Sequence, residues 1–206
     1  MPSTVVHLAI GALIATALLD DAFTPKVFAL LLLLVAIPDL DTFIGIALEG
    51  THRAALHTVL VPTIAAGAVY YDTNVRDISW LHRRSQHAVR IAWVGIAAYL
   101  FAGIGPDLFF NGVNLFYPLH DRFFSVSGSV FLSDQRGFVQ TLWQPAQSVQ
   151  GTTANTHYYT GVDTARGTDP VNVERIFPIA NGGFQVLLIL TATTISSVRL
   201  WETRNQ

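Results

Sequence analysis

Residues 25–48 read PKVFALLLLLVAIPDLDTFIGIAL, and this stretch decides the class of fold. From Val27 to Ile37 no side chain is charged; Pro38 then brings two carboxylates, Asp39 and Asp41, into the same apolar run. A membrane-spanning helix needs roughly 20 apolar residues. The uninterrupted part reaches only about 16 Å at 1.5 Å per residue. The two acids therefore fall below the membrane surface, or in a re-entrant break that Pro38 makes by removing a helical hydrogen bond.

Four further apolar stretches flank this one, at about 2–19, 54–71, 88–105 and 180–201, each close to spanning length. The composition agrees: of 206 residues 51% are hydrophobic and only 13% charged, against about 25% charged in a soluble domain. With a mean hydropathy of +0.42, a disordered chain and a fibrous repeat are excluded. The net charge of −2 offers no basic footprint for phosphate backbones, so no nucleic acid is expected as a partner. The first stretch has no Lys or Arg before it and carries His7 inside it. It lacks the basic start of a signal peptide and reads as a retained helix.

The sequence thus predicts an all-α polytopic membrane protein of about five transmembrane helices. A long extramembrane insertion with a short β-hairpin lies between the fourth and fifth. Residues 1–120 form the membrane-embedded part, 121–179 the insertion, and 180–206 the last helix and tail. Within the insertion, apolar and β-branched runs on either side of Ser127-Gly128-Ser129 read as the hairpin. Residues 144–170, rich in Thr, Asn, Gln and Gly, read as an irregular loop. Arg76, Arg83, Arg84 and Arg90 crowd the loop between the third and fourth stretches. The positive-inside tendency places that loop in the cytoplasm of an inner or plasma membrane and the opposite face outside.

There is no cysteine, so any metal must be held by nitrogen and oxygen ligands. On the predicted topology His7, the Pro38-Asp39-Leu40-Asp41 break, His52 with His57, and Asp107 all fall at one membrane face, by helix counting alone. Ionisable groups at that depth are costly and persist where they pair or coordinate something. A divalent cation answers both the repulsion among three Asp and the desolvation of three His. Zinc, manganese or ferrous iron suits such a donor set, zinc or manganese first, and six ligands suffice for one or two ions. Asp39 and Asp41, about 200° apart on a helix, share an ion only where the backbone is irregular. His52 and His57, about 140° apart, converge only if His52 precedes the first helical turn; Thr51 is the expected N-cap. That helix start would offer free amides to an anionic substrate group.

In order, a His near the N-terminus, Pro38-Asp39-Leu40-Asp41, His52-Arg53-x-x-x-His57-Thr58, and Asp107 followed by Asn111-Gly112-Val113-Asn114-Leu115-Phe116-Tyr117-Pro118 resemble a family of membrane-bound metal-dependent hydrolases. Its members are also described as LexA-regulated and inner-membrane-associated. The resemblance covers residues 1–120 and implies metal ligation by His7, Asp39, Asp41, His52, His57 and Asp107, with Arg53 contacting an anion. Three positions depart from the pattern: Gly103 stands where the family has His, Thr42 where His is common, and Ala54 where Gly follows His-Arg. The reading that follows is hydrolysis of a lipid-linked or phosphoester substrate through a metal-activated water. Asp41 and Arg53 are its catalytic groups, and Arg53, Asn111, Asn114 and His120 its substrate contacts. An ion-binding transporter and a non-catalytic protein with a structural metal site are the alternatives.

Overall fold

The computed structural model describes residues 3–142, 151–167 and 170–205. It is mostly helical with one small antiparallel sheet. Helix α1 (Thr4–Leu18) is capped by Ser3, whose hydroxyl accepts from the Val6 amide at 3.4 Å. Helix α2 (Pro25–Ala36) starts on Thr24, which accepts from the Val27 amide at 3.2 Å, with Pro25 in the first turn, a position where a missing N–H costs nothing. The break expected at Pro38 is present. Residues Pro38–Leu40 form a 3₁₀ turn, and α3 (Asp41–Ala47) leaves it bent by 44° from α2.

After a loop come α4 (Leu60–Tyr70), α5 (Trp80–Arg84) and α6 (Ala88–Ala98). A π-helical turn at Tyr99–Ile104 joins α6 to α7 (Gly105–Phe110), so that Ala88–Phe110 is one apolar helix of 23 residues. Helix α8 (Gly183–Arg204) has 22 residues and packs along α1. Strands β1 (Val130–Ser133) and β2 (Gly137–Gln140) pair from Val130↔Gln140 to Ser133↔Gly137.

Among the described residues two helices, Ala88–Phe110 and Gly183–Arg204, are long and apolar enough to cross a membrane, and a third span results if the bent α2–α3 pair is one. The five spans expected are not all shown: α1 has 15 residues, and α4, continued by a π-helical turn at Tyr71–Val75, ends at Val75, so both are shorter than the roughly 20 residues that a bilayer requires. The third helix starts at Leu60 and not near residue 54. Thr51 donates its hydroxyl to the Leu48 carbonyl rather than capping a helix, and Arg53 at φ 62 lies in a conformation no α-helix continues through. The hairpin also sits further along than expected. Its turn is Asp134-Gln135-Arg136, where Ser133 Oγ accepts from the Gln135 and Arg136 amides and Gly137 takes φ 65. Ser129 instead pairs with Thr141 at the open end, and Phe124 bridges to Val113. Parts of the expected loop over 144–170 lie outside the described residues.

The core runs along α1, α2 and α6, from Ala15, Leu19, Leu31 and Val94 at one end to Val35, Ala98 and Ala102 near the Pro38 break. Small residues permit the close approach. A Cβ on Gly103 would stand 2.9 Å from Pro38 Cγ and 3.1 Å from the Val35 carbonyl, so the π-helical turn packs directly on the 3₁₀ turn that carries Asp39. A larger side chain does not fit there in this backbone. Gly103→Ala should cost about 1–3 kcal/mol, the usual range for overpacking, and should displace Asp39; thermal unfolding with metal titration of the variant checks both.

At the far end Asp72 accepts from Ser79 Oγ at 2.7 Å and from the Trp80 and Leu81 amides at 3.0 Å each, starting α5. Bonds from Leu81, Ser79 and Trp80 hold its carboxyl down to about 2, below the ordinary 3.8. A depressed carboxyl stabilises above the unfolded value and loses its contribution as the pH falls through the folded one. Amide exchange at Leu81 is accordingly expected to stay slow at pH 4 and to quicken as the pH falls through about 2.

Candidate metal centre

His7 lies in the first turns of α1, Asp39 in the 3₁₀ turn, Asp41 at the first residue of α3, and Asp107 in the first turn of α7. His52, Arg53 and His57 occupy the loop before α4. Both histidines thus precede the first helical turn, the condition under which they can converge. The loop is pinned from the far side: the Asn114 amide donates to the Arg53 carbonyl at 2.8 Å, and the Val59 amide and Thr58 hydroxyl donate to the Leu115 carbonyl. Tyr99 OH, from the π-helical turn, donates to the Leu56 carbonyl at 2.7 Å. All seven residues come together, and His7, Asp41, His52, Arg53, His57 and Asp107 are buried.

The hydrogen bonds fix which atoms face the centre. His7 Nδ1 lies 2.6 Å from the Ala102 carbonyl, which can only accept, so Nδ1 carries the hydrogen and the lone pair of neutral His7 is on Nε2. Pro106 makes this partner available, since it has no N–H to donate to the carbonyl four residues earlier. His7 Nε2 then stands 3.4 Å from Asp107 Oδ2. His57 repeats the arrangement, with Nδ1 2.8 Å from Asp41 Oδ2 and Nε2 3.1 Å from Asp107 Oδ2 and 3.7 Å from Asp39 Oδ1. Thr4 Oγ1 donates to the other oxygen of Asp39 at 2.5 Å. One ligand atom each from His7, Asp39 and Asp107 lies within 4.8 Å of the others, so the three could hold a metal ion. His57 Nε2 borders the same position.

Asp41 takes a different part from the ligand and base expected of it. One oxygen is 2.9 Å from His52 Nδ1, and the other is bonded to His57 Nδ1 and to the Leu56 amide at 3.3 Å. It is fully buried and orients two imidazoles. The turn sends Asp39 and Asp41 to opposite nitrogens of His57. Thr42 Oγ1 also lies 2.9 Å from His52 Nδ1.

Arg53 donates to Asp107 Oδ1 at 2.5 Å and lies over the Tyr158 ring at 4.7 Å. It is 2% exposed and its Nε has no partner, a costly arrangement for a buried donor. The cluster holds three carboxylates, Asp39, Asp41 and Asp107, and one guanidinium, which pairs with Asp107, so two negative charges are left when the imidazoles are neutral. Burial alone would lower the His57 pKa; the Asp41 and Asp107 carboxylates outweigh it and raise it to about 10.

The expected substrate contacts divide. Asn111, with its amide turned to donate to the Phe110 carbonyl, accepts from Arg53 NH1 at 3.3 Å. Asn114 is buried and bonds Asp121 and the Arg122 amide, so it holds the scaffold. His120 is exposed and packs on Phe124, away from the cluster. Because Arg53 precedes no helix, the free amides expected beside it are not offered.

A cavity of about 840 Å³ opens over the cluster. Asp39, Thr42, His52, Arg53 and Asp107 line its polar side, and a strap of chain from Tyr159 to Asn181 supplies much of the rest. Ser3 Oγ donates to the Ile179 carbonyl at 2.5 Å, and Arg175 donates to the Gly161 and Val162 carbonyls at 3.0 Å each, which ties the strap down. Neither Tyr158 nor the strap was legible as part of a site, since only the folded insertion brings them over Arg53. No protein-family model, curated protein or solved structure matches this chain.

Proposed function

We propose that this chain is a polytopic, membrane-bound metal-dependent hydrolase acting on a lipid-linked or phosphoester substrate. Ala88–Phe110, Gly183–Arg204 and the bent α2–α3 pair would carry it through an inner or plasma membrane, with the metal face outside. The observation that carries the reading is the pairing of His7 Nε2 and His57 Nε2 around the Asp107 carboxylate, each ring having its other nitrogen held by a hydrogen bond. Such outer bonds fix the orientation and raise the basicity of metal-ligating imidazoles. His7, Asp39, His57 and Asp107 would hold one zinc or manganese ion, which supplies Lewis acidity and an acidified water when bound. Arg53, which lines the cavity, receives an anionic oxygen of the substrate. His52 lines the cavity with Nδ1 fixed by Asp41, and carries the proton between water and leaving group.

Metal uptake must expel the proton that the carboxylates hold on His57. With that imidazole raised to about 10, affinity should rise about tenfold per pH unit between pH 6 and 9, with release of one proton. The test is elemental analysis of detergent-purified protein together with indicator-dye measurement of proton release on adding Mn²⁺ or Zn²⁺. Stoichiometric metal and one proton are expected. Protein that binds neither ion overturns the reading, and hydrolysis of phosphoester and lipid substrates by metal-loaded protein but not by His57→Ala completes it.

A further inference from the structure

The cavity over the cluster is divided by chemistry. Its polar side is Asp39, Thr42, His52, Arg53 and Asp107, whereas Val5, Leu40, Phe43, Ile176, Phe177 and Ile179 line it with hydrocarbon. These apolar side chains are not packed away: Phe43 is 57% exposed, Ile176 64% and Phe177 65%. Among the described residues, Glu174 is the one charged side chain that the strap adds to the lining. Exposed apolar surface gathered round a pocket marks a place where apolar ligand or lipid is received. At the polar end the Arg53 guanidinium lines the cavity and puts a fixed positive charge there. Arg favours phosphate oxygens.

We infer that the cavity binds a lipid with a phosphate head and a hydrocarbon chain, the head against Arg53 and the chain along Phe43, Ile176 and Phe177. The placement of the head rests on the reading of the cluster as a metal centre; the placement of the chain rests on the cavity alone. A water-soluble phosphoester would leave the apolar wall wet and gain nothing from it. A lipid enters with its chain already beside the apolar helices, since Val5 of α1 and Leu40 and Phe43 near the α2–α3 bend belong to both the wall and the membrane-facing elements.

The test is calorimetric titration of the full chain, held in amphipol with Mn²⁺ present, with inorganic phosphate, ethyl phosphate and octyl phosphate. Each methylene taken from water adds about fourfold to affinity, so octyl phosphate should bind at least tenfold more tightly than ethyl phosphate. Phe177→Asp should remove most of that difference and leave ethyl phosphate binding unchanged, which also certifies that the variant is folded. Ile176→Asp, equally exposed, provides the same reading should Phe177→Asp not fold. Equal binding of ethyl and octyl phosphate by the native protein overturns the inference, as does full octyl preference in both folded variants. Elemental analysis of the same samples separates the two readings. Metal with no chain preference refutes the lipid and spares the metal centre, whereas chain preference without metal does the reverse.

Discussion

Asp107→Ala is expected to abolish metal binding and to destabilise the protein by about 3–5 kcal/mol, the cost of breaking a buried ion pair. This carboxylate is 1% exposed and meets Arg53 at 2.5 Å, His57 Nε2 at 3.1 Å and His7 Nε2 at 3.4 Å. Its removal leaves a guanidinium buried without its partner, and takes away the one group common to both imidazoles that face the centre. Asp107→Asn keeps an acceptor for Arg53 and the volume of the side chain. It should recover much of the stability while still losing the metal. Chemical unfolding in detergent, with elemental analysis of each variant, checks the pair. An Asp107→Asn protein that retains stoichiometric metal would remove this carboxylate from the ligand set.

Asp41→Asn should weaken metal binding by 10- to 100-fold without abolishing it, as is usual for partners one layer behind a metal ligand. Asp41 carries a hydrogen bond from His57 Nδ1 at 2.8 Å and one at 2.9 Å to His52 Nδ1, and neither oxygen belongs to the group that could hold the ion. An amide in its place can accept from one imidazole and must present its NH₂ to the other, so one ring loses its orientation. Metal titrations compare Asp41→Asn with Asp107→Asn directly. Equal loss in both would make Asp41 a ligand, as its place in the Pro38-Asp39-Leu40-Asp41 segment first suggests.

Much of the site is legible before any folding. Helix counting predicts that His7, Asp39, Asp41, His52, His57 and Asp107 meet at one end of the apolar helices, because a 3.6-residue helix of fixed rise delivers its ends to known heights, and the structure brings the six together. The break at Pro38 is legible for an equally local reason, the missing N–H. Asp39 and Asp41 could not be told apart from the sequence, since two residues of separation in an irregular turn leave each free to point either way. Their division between ligand position and support is set by which nitrogen of His57 each one meets. Arg53 in the left-handed region was also hidden. Its φ of 62 is a local cost of about 1–3 kcal/mol, held by the Asn114 amide and the Asp107 carboxylate, which lie more than 50 residues away in sequence.

By itself the sequence determined the membrane-type composition, the apolar helices, the interrupted second helix and the set of nitrogen and oxygen donors at one end of it. These follow from hydropathy, helical rise and proline chemistry, all of which act over a few residues. Only the tertiary structure decided that α1 and α4 stop short of spanning length, that the hairpin turns at Asp134-Gln135-Arg136, and that Gly103 presses on Pro38 where a larger side chain would not fit. It alone decided that the strap from Tyr159 to Asn181 closes an apolar wall over a polar floor. Those features depend on contacts between distant segments, where packing and paired buried charges outweigh the local preferences that a sequence records.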